Sequence, residues 1–173
     1  MLMRCDMFKI QELSSKYKVV KLNENDIDSI YELEYNNPVY FEYMNDKVSK
    51  QNIRDDMIAL PPHTLMNNKY YIGFKNNKDL VAIMDLILHY PDDDTAFIGL
   101  FMVGKSYQRK NIGSFIISEL IETLKINNFL HIRLGFIEGN EQSYNFWLKN
   151  RFEKTGVKTD VDKYTVISMN LDI

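Results

Sequence analysis

Gln108-Arg109-Lys110-Asn111-Ile112-Gly113-Ser114 joins an apolar, strand-like run to the most regular amphipathic stretch of the chain. Ile112, Phe115, Ile116, Leu120 and Leu124 recur at helical spacing, so the heptapeptide ends at a helix N-terminus. The first turn of a helix leaves backbone N–H groups unpaired and carries the positive end of the helix dipole, and together these make an anion site. Lys105, Arg109 and Lys110 gather positive charge there, although the 173-residue chain has a net charge of −3. Asn111 is among the few non-glycine residues that tolerate a left-handed backbone, and Gly113 permits close backbone approach. Read alone, the heptapeptide fits an ordinary strand-to-helix connection with solvated lysines equally well.

Working outward, three strands precede this loop as an antiparallel meander: Tyr70 to Phe74, Leu80 to Tyr90 and Thr95 to Val103. Asn76-Asn77-Lys78 and Pro91-Asp92-Asp93-Asp94 supply the turns between them. Earlier still, Tyr17 to Leu22 reads as a strand. Asn25-Asp26 then offers an N-cap for a helix carrying Ile27, Ile30, Tyr31 and Leu33, which Pro38 stops. Ser49 caps a second helix through Ile53, Met57 and Ile58, ended by Pro61-Pro62. Downstream, Phe129 to Ile137 reads as a buried strand and Asn140 to Asn150 as a short helix with Tyr144, Trp147 and Leu148 on one face. Phe152 to Val157 and Tyr164 to Leu171 form a closing hairpin. The order β-α-α-β-β-β-α-β-α-β-β predicts an α/β (α+β) fold, a mixed, mostly antiparallel sheet flanked by helices. One domain, residues 16–173, follows an N-terminal extension, residues 1–15.

Composition narrows the function classes. With 45% hydrophobic and 26% charged residues the chain reads as a soluble globular domain, not a disordered or collagen-like one. A single cysteine, Cys5, excludes an intrachain disulfide and a cysteine-based zinc cluster, so a reducing, cytoplasmic setting is expected. Arg4 and Asp6 break the apolar start, which therefore lacks a signal-peptide core, and no later stretch is long enough for a membrane span. Lysines interspersed with carboxylates offer no basic face, so neither nucleic acid nor membrane is an expected partner.

The heptapeptide resembles the Gln/Arg-x-x-Gly-x-Gly/Ala signature of the GCN5-related N-acetyltransferase (GNAT) superfamily, matching at Gln108 and Gly113 and departing at Asn111, where the family has glycine. Asn140 to Phe152 is similar to the family's Asn-x-x-Ala/Ser-x-x-x-Tyr-x-Lys-x-Gly-Phe helix and turn. Asn140, Ser143, Lys149 and Phe152 fit, while Trp147 replaces the tyrosine and Arg151 the glycine. The element order agrees from about Tyr17 to the end. This resemblance implies the acyl-CoA N-acyltransferase fold, with acetyl-CoA as co-substrate and no metal. It further implies acetyl transfer to a primary amine of a small molecule or peptide by direct attack in a ternary complex. It places the pyrophosphate on Gln108, Arg109, Lys110, Asn111, Ile112, Gly113 and Ser114. The pantetheine arm would enter a gap between Phe101, Met102 and Val103 and the stretch Arg133 to Ile137, with a backbone N–H near Met102 as oxyanion donor. Asn140 would bond the arm, with Ser143 and Trp147 beside it, and a homodimer is the oligomer the fold suggests.

The catalytic groups need a separate reading. The family tyrosine protonates the departing sulfur, and the indole of Trp147 can donate a hydrogen bond but not a proton. Tyr144, one turn earlier on the same face, is a substitute acid, with core packing the competing role for both aromatics. A thiol with a pKa near about 8.5 can also depart as thiolate. For the base, alternation along Leu80 to Tyr90 places Val81, Ile83, Asp85, Ile87 and His89 on one face. A carboxylate among aliphatics is costly without a partner, so Asp85 takes the amine's proton, anchors a cationic substrate, or pairs structurally with a lysine or backbone amide. Tyr40, Glu42 and Tyr43 form an aromatic and acidic cluster suited to a small cation, with loop packing as the plain alternative. Two further readings stay open. One is a non-catalytic acyl-CoA-binding module of the same fold, motivated by Asn111, Trp147 and Arg151. The other is a P-loop nucleotide binder, because Gly99 to Ser106 spells G-x-x-x-x-G-K-S. The bulky residues inside that spelling continue a strand and the helix begins only after Asn111, which opposes it.

Overall fold

The computed structural model describes residues 8–173, and its regular elements are β1 (Lys18–Lys21), α1 (Ile27–Tyr35), α2 (Pro38–Met44), α3 (Lys50–Ile58), β2 (Lys69–Asn76), β3 (Asp79–Leu88), β4 (Thr95–Val103), α4 (Ile112–Ile126), β5 (His131–Ile137), α5 (Glu141–Lys149), β6 (Glu153–Val161) and β7 (Tyr164–Asp172). The strands form one sheet in the order β1-β2-β3-β4-β5-β7-β6, and only β4 and β5 run parallel. The expected mixed, mostly antiparallel sheet is therefore the one observed. The helix absent from the expected order is α2. Pro38 does not simply stop α1; it occupies the first position of α2, where its fixed φ and missing N–H are no handicap.

The sheet has a core on each face. On one, Ile116, Ile117, Leu120 and Leu124 of α4 and Trp147 of α5 cover Phe74, Ala82, Met84, Leu86, Ile132 and Leu134. On the other, Ile27, Ile30 and Leu33 of α1 and Ile53 of α3 cover Tyr71, Ile83 and Met102. Residues 10–15 belong to the first core: Leu13 is fully buried, Ser14 Oγ donates to Glu119 at 2.8 Å and Thr123 Oγ1 donates to the Glu12 carbonyl at 3.0 Å. The start of the expected extension, Met1 to Met7, lies outside the described residues.

Two bulges decide which side chains share a face. Phe74 pairs with Ala82 and Lys75 with Leu80, so Val81 is an extra residue and turns to the α4 side. His89 lies beyond β3 at φ +58 and stacks on Phe129, 4.9 Å between centroids. The expected common face of Val81, Ile83, Asp85, Ile87 and His89 is thus reduced to Ile83, Asp85 and Ile87. The second bulge is in β4: Asp85 pairs with Leu100 and Leu86 with Ile98, leaving Gly99 extra. At the same level the β4–β5 ladder stops, since pairing runs only from Thr95 with His131 to Ile98 with Leu134. Beyond it β4 continues to Val103 and β5 to Ile137 without a shared register, which leaves the split that the sequence led us to expect.

Candidate active site

Gly104 follows β4, a single turn covers Lys105 to Tyr107, and α4 begins at Ile112, so the residues of the P-loop spelling form strand and turn. Arg109 and Asn111 both stand at φ +58, which explains why the family signature has glycine where this chain has Asn111. Asn111 does not cap α4 with its side chain; its Oδ1 accepts from Lys149 Nζ at 2.8 Å, tying the loop to α5. The first intrahelical bond here comes from the Phe115 N–H to the Asn111 carbonyl, so the N–H groups of Ile112, Gly113 and Ser114 face outward unpaired. Gly113 sits in close packing: a Cβ there would lie 3.0 Å from the Phe146 ring and 3.3 Å from Val103. Lys105, Arg109 and Lys110 are exposed and none forms an ion pair among the described residues. A pyrophosphate would meet three backbone donors and three cations outside any ion pair, of which Lys110 donates to the Ser106 carbonyl at 2.8 Å, so this loop fits the diphosphate of a coenzyme A thioester. Gln108 uses its side chain within the protein. Its side-chain amide donates to the Val103 carbonyl at 2.9 Å and to Asn37 Oδ1 at 2.5 Å, bracing the loop against β4 and α2.

Ladder alternation sets the donors that face the split. The Gly104 N–H bonds to the Val81 carbonyl at 2.8 Å, so Met102, two residues earlier in the same register, also turns its N–H toward β3. The N–H groups of Phe101 and Val103 point the other way, into the split. These two N–H groups flank Met102, near which the oxyanion donor was expected. Met102 itself packs against α1 and α3, whereas Phe101 and Val103 face α4 and α5.

On α5, Asn140 is buried and its Oδ1 accepts the Ser143 N–H at 3.0 Å, capping the helix. Trp147 is buried against Phe101, Phe146 and Phe152, so the residue at the family tyrosine position is core. Tyr144 turns to β5 and β6: its ring stacks on Phe136 at 5.4 Å, and Lys154 Nζ stands 4.0 Å from its centroid. These residues border a surface cavity of about 250 Å³ that also includes Glu138, Gly139 and Val157.

The other face of the split is acidic. Lys69 and Asp85 form a buried ion pair in which Nζ lies 2.7 Å from both carboxylate oxygens, fulfilling the lysine-pairing alternative for Asp85. Asp85 also covers the bulge: a Cβ on Gly99 would sit 2.9 Å from its Oδ2, so this carboxylate fills the place where a β4 side chain would project. Burial raises the Asp85 pKa, and the Lys69 bond opposes it. Beyond Asp85 lie Asp56 of α3, Glu34 of α1, Tyr71 of β2 and Tyr40 of α2. Burial and then Asp56 push Glu34 up to about 7, while crowding by protein and then Asp85, offset by Lys69, push the partly solvent-facing Asp56 up to about 6. The Tyr71 and Tyr40 phenols are held far above their ordinary range, chiefly by burial. Glu34, Asp56, Lys69 and Tyr71 escaped the sequence reading. One signal was present: Glu34 falls on the same helical stripe as Ile27 and Ile30, which makes a buried carboxylate predictable once α1 is drawn.

Of the expected acceptor residues, Tyr40 joins this group, whereas Glu42 is exposed and Tyr43 rests 3.6 Å from where a Gly139 Cβ would be. Asn37 Nδ2 donates to the Val103 carbonyl at 3.4 Å and Asn45 Nδ2 to the Lys163 carbonyl at 3.3 Å. With Tyr43 at the β5–α5 turn, α2 reaches from the end of β4 across the open end of the split.

Solved structures of low identity share this architecture. An acetyltransferase from Thermus thermophilus superposes with a TM-score of 0.70 at 12% identity, over 90% of this chain and 96% of that one. Ard1 from Thermoplasma volcanium gives 0.66 at 16%, covering 91% and 98%. PaiA N-acetyltransferase from Thermoplasma acidophilum, solved in complex with coenzyme A, gives 0.61 at 17%, covering 87% and 96%. A search of curated proteins finds no match. The model of the acetyltransferase (GNAT) family matches residues 25–152, from before α1 through α5 to Phe152, and the chain belongs to that family.

Proposed function

We propose that the protein transfers the acetyl group of acetyl-CoA to the primary amine of a small molecule or peptide by direct attack in a ternary complex. The observation that carries this reading is the part-buried carboxylate of Asp85 over the Gly99 bulge, beside the strand whose Phe101 and Val103 N–H groups face the split. Ile112, Gly113 and Ser114 N–H groups with Lys105, Arg109 and Lys110 hold the pyrophosphate, and the uncommitted Nδ2 of Asn140 donates to the pantetheine arm. The amine arrives largely as ammonium and becomes nucleophilic after losing a proton to Asp85, whose burial raises its basicity. Its nitrogen attacks the thioester carbonyl carbon while a β4 N–H stabilises the oxyanion. The C–N bond forms, the C–S bond breaks, the second amine proton leaves through Asp85 or water, and the sulfur departs with its electron pair. Lys69 holds Asp85 in place by both oxygens. We assign protonation of the sulfur to Tyr144, whose ring stacks on Phe136 of β5.

Asp85→Asn is expected to lower kcat by about 10²–10³-fold while acetyl-CoA affinity stays within about twofold, as measured by thiol release and calorimetry. Unchanged turnover would remove Asp85 from the reaction. Tyr144→Phe should reduce kcat about tenfold, and an unaltered kcat would mean that the sulfur leaves unaided as thiolate.

A further inference from the structure

We propose that the preferred acceptor is a diamine, and that Glu34, Asp56 and the Tyr71 hydroxyl form a subsite for its second, non-reacting cationic group. The inference rests on Asp85 facing the reacting amine, as above. Tyr71 is 2% exposed, and its hydroxyl is the buried side-chain oxygen that finds no hydrogen-bond partner among the described residues. Tyr71 stands across from Asp85 in the β2–β3 register and packs under α1 and α3, and the groups whose charges bear on its hydroxyl are Glu34, Asp56, Asp85 and Tyr40. Glu34 is 4% exposed, and among the described residues its carboxyl accepts no hydrogen bond and meets no cation. A buried phenol left without a partner is costly, and such cost is retained where a ligand removes it.

Charge favours a dication. Both oxygens of Asp85 already hold the Lys69 ammonium, and Asp56 is a further carboxylate within reach of that pair's charges. Glu34 and Asp56 form no ion pair among the described residues. Arg54, the neighbouring cation on α3, is turned away to Glu24 at 2.7 Å, and Lys50 to Asp28 at 2.7 Å. Among the described residues no group of three or more His, Cys, Asp or Glu side chains is drawn together tightly enough for a metal ion. Carboxylates near a phenol match an organic ammonium, which takes several acceptors around a tetrahedral nitrogen and tolerates aromatic walls such as Tyr40 and Tyr71.

The test compares straight-chain α,ω-diamines of graded length with monoamines of equal length, by calorimetry in the presence of coenzyme A and by kcat/KM with acetyl-CoA. The best diamine should bind at least ~10-fold more tightly than its monoamine, and Glu34→Gln should bring that ratio to within ~2-fold with coenzyme A affinity retained. Tyr71→Phe should weaken the diamine ~3-fold or more while the free protein melts at the same or a higher temperature, a combination that a merely structural hydroxyl would not give. Equal affinities for the two series, or a ratio unaffected by Glu34→Gln, would overturn the subsite. The two claims separate cleanly: preferential diamine binding without thiol release refutes acetyl transfer and retains the subsite, whereas thiol release at equal kcat/KM from both series does the reverse.

Discussion

Arg151 stands at φ +71 immediately after α5, in a backbone conformation that costs a side-chain-bearing residue about 1 kcal/mol. The turn demands it: the Phe152 N–H returns to the Trp147 carbonyl at 3.1 Å, the Arg151 N–H to the Leu148 carbonyl at 2.9 Å, and the Phe152 and Trp147 rings meet at 5.1 Å. Arg151→Gly should therefore stabilise the fold by roughly 0.5–1 kcal/mol, read as a rise in Tm of about 1–4 °C by thermal unfolding; a lower Tm would contradict the strain. Left-handed positions at Asn111 and Arg151 also show why the two signatures were readable despite their substitutions. The motif glycines mark backbone angles, and the backbone keeps those angles here with other residues. Trp147 is different, because a residue letter cannot say whether an aromatic faces a ligand or the core. Its neighbours Phe101, Phe146 and Phe152 settle that for the core.

At the scale of single elements, α1 carries the clearest cost. Glu34 is buried on the stripe formed by Ile27 and Ile30, and its pKa rises from 4.5 to about 7. A folded-state pKa above the unfolded value means that the native protein binds more protons, so stability is lost as pH rises between about 4.5 and about 7. The facing groups are Asp56 on α3, Tyr71 on β2 and Tyr40 on α2, and Asp56 adds to the same trend. Glu34→Gln should raise Tm at pH 8 by about 3–6 °C, change it little at pH 4.5, and flatten the pH dependence between them. An equal gain at both values would assign the effect to packing. The length of α2 explains its absence from the sequence reading: seven residues opened by a proline show too little periodicity to register as a helix. Counting alternate residues along β3 failed at Val81 for a comparable reason, since a bulge shifts the phase and nothing in the local sequence announces one.

For the whole molecule, the parallel pair β4 and β5 is the organising feature. A sheet otherwise antiparallel contains one parallel junction, and the ladder there ends at Ile98 and Leu134 beside the Gly99 bulge. The donor half of the site was legible because it is local: one loop, one helix N-terminus and one short helix at a readable spacing. The acceptor half was not, apart from Asp85 and Tyr40. Glu34, Asp56, Lys69 and Tyr71 come from three elements, and only strand register and helix packing bring them together. The central claim is acetyl transfer to an amine, and the most direct measurement is thiol release from acetyl-CoA in the presence of an α,ω-diamine, paired with mass analysis of the acceptor. We predict one thiol per N-acetylated diamine, with the rate falling about 10²–10³-fold in Asp85→Asn. Coenzyme A binding with no thiol released, across the whole panel of monoamines and diamines, would contradict the account.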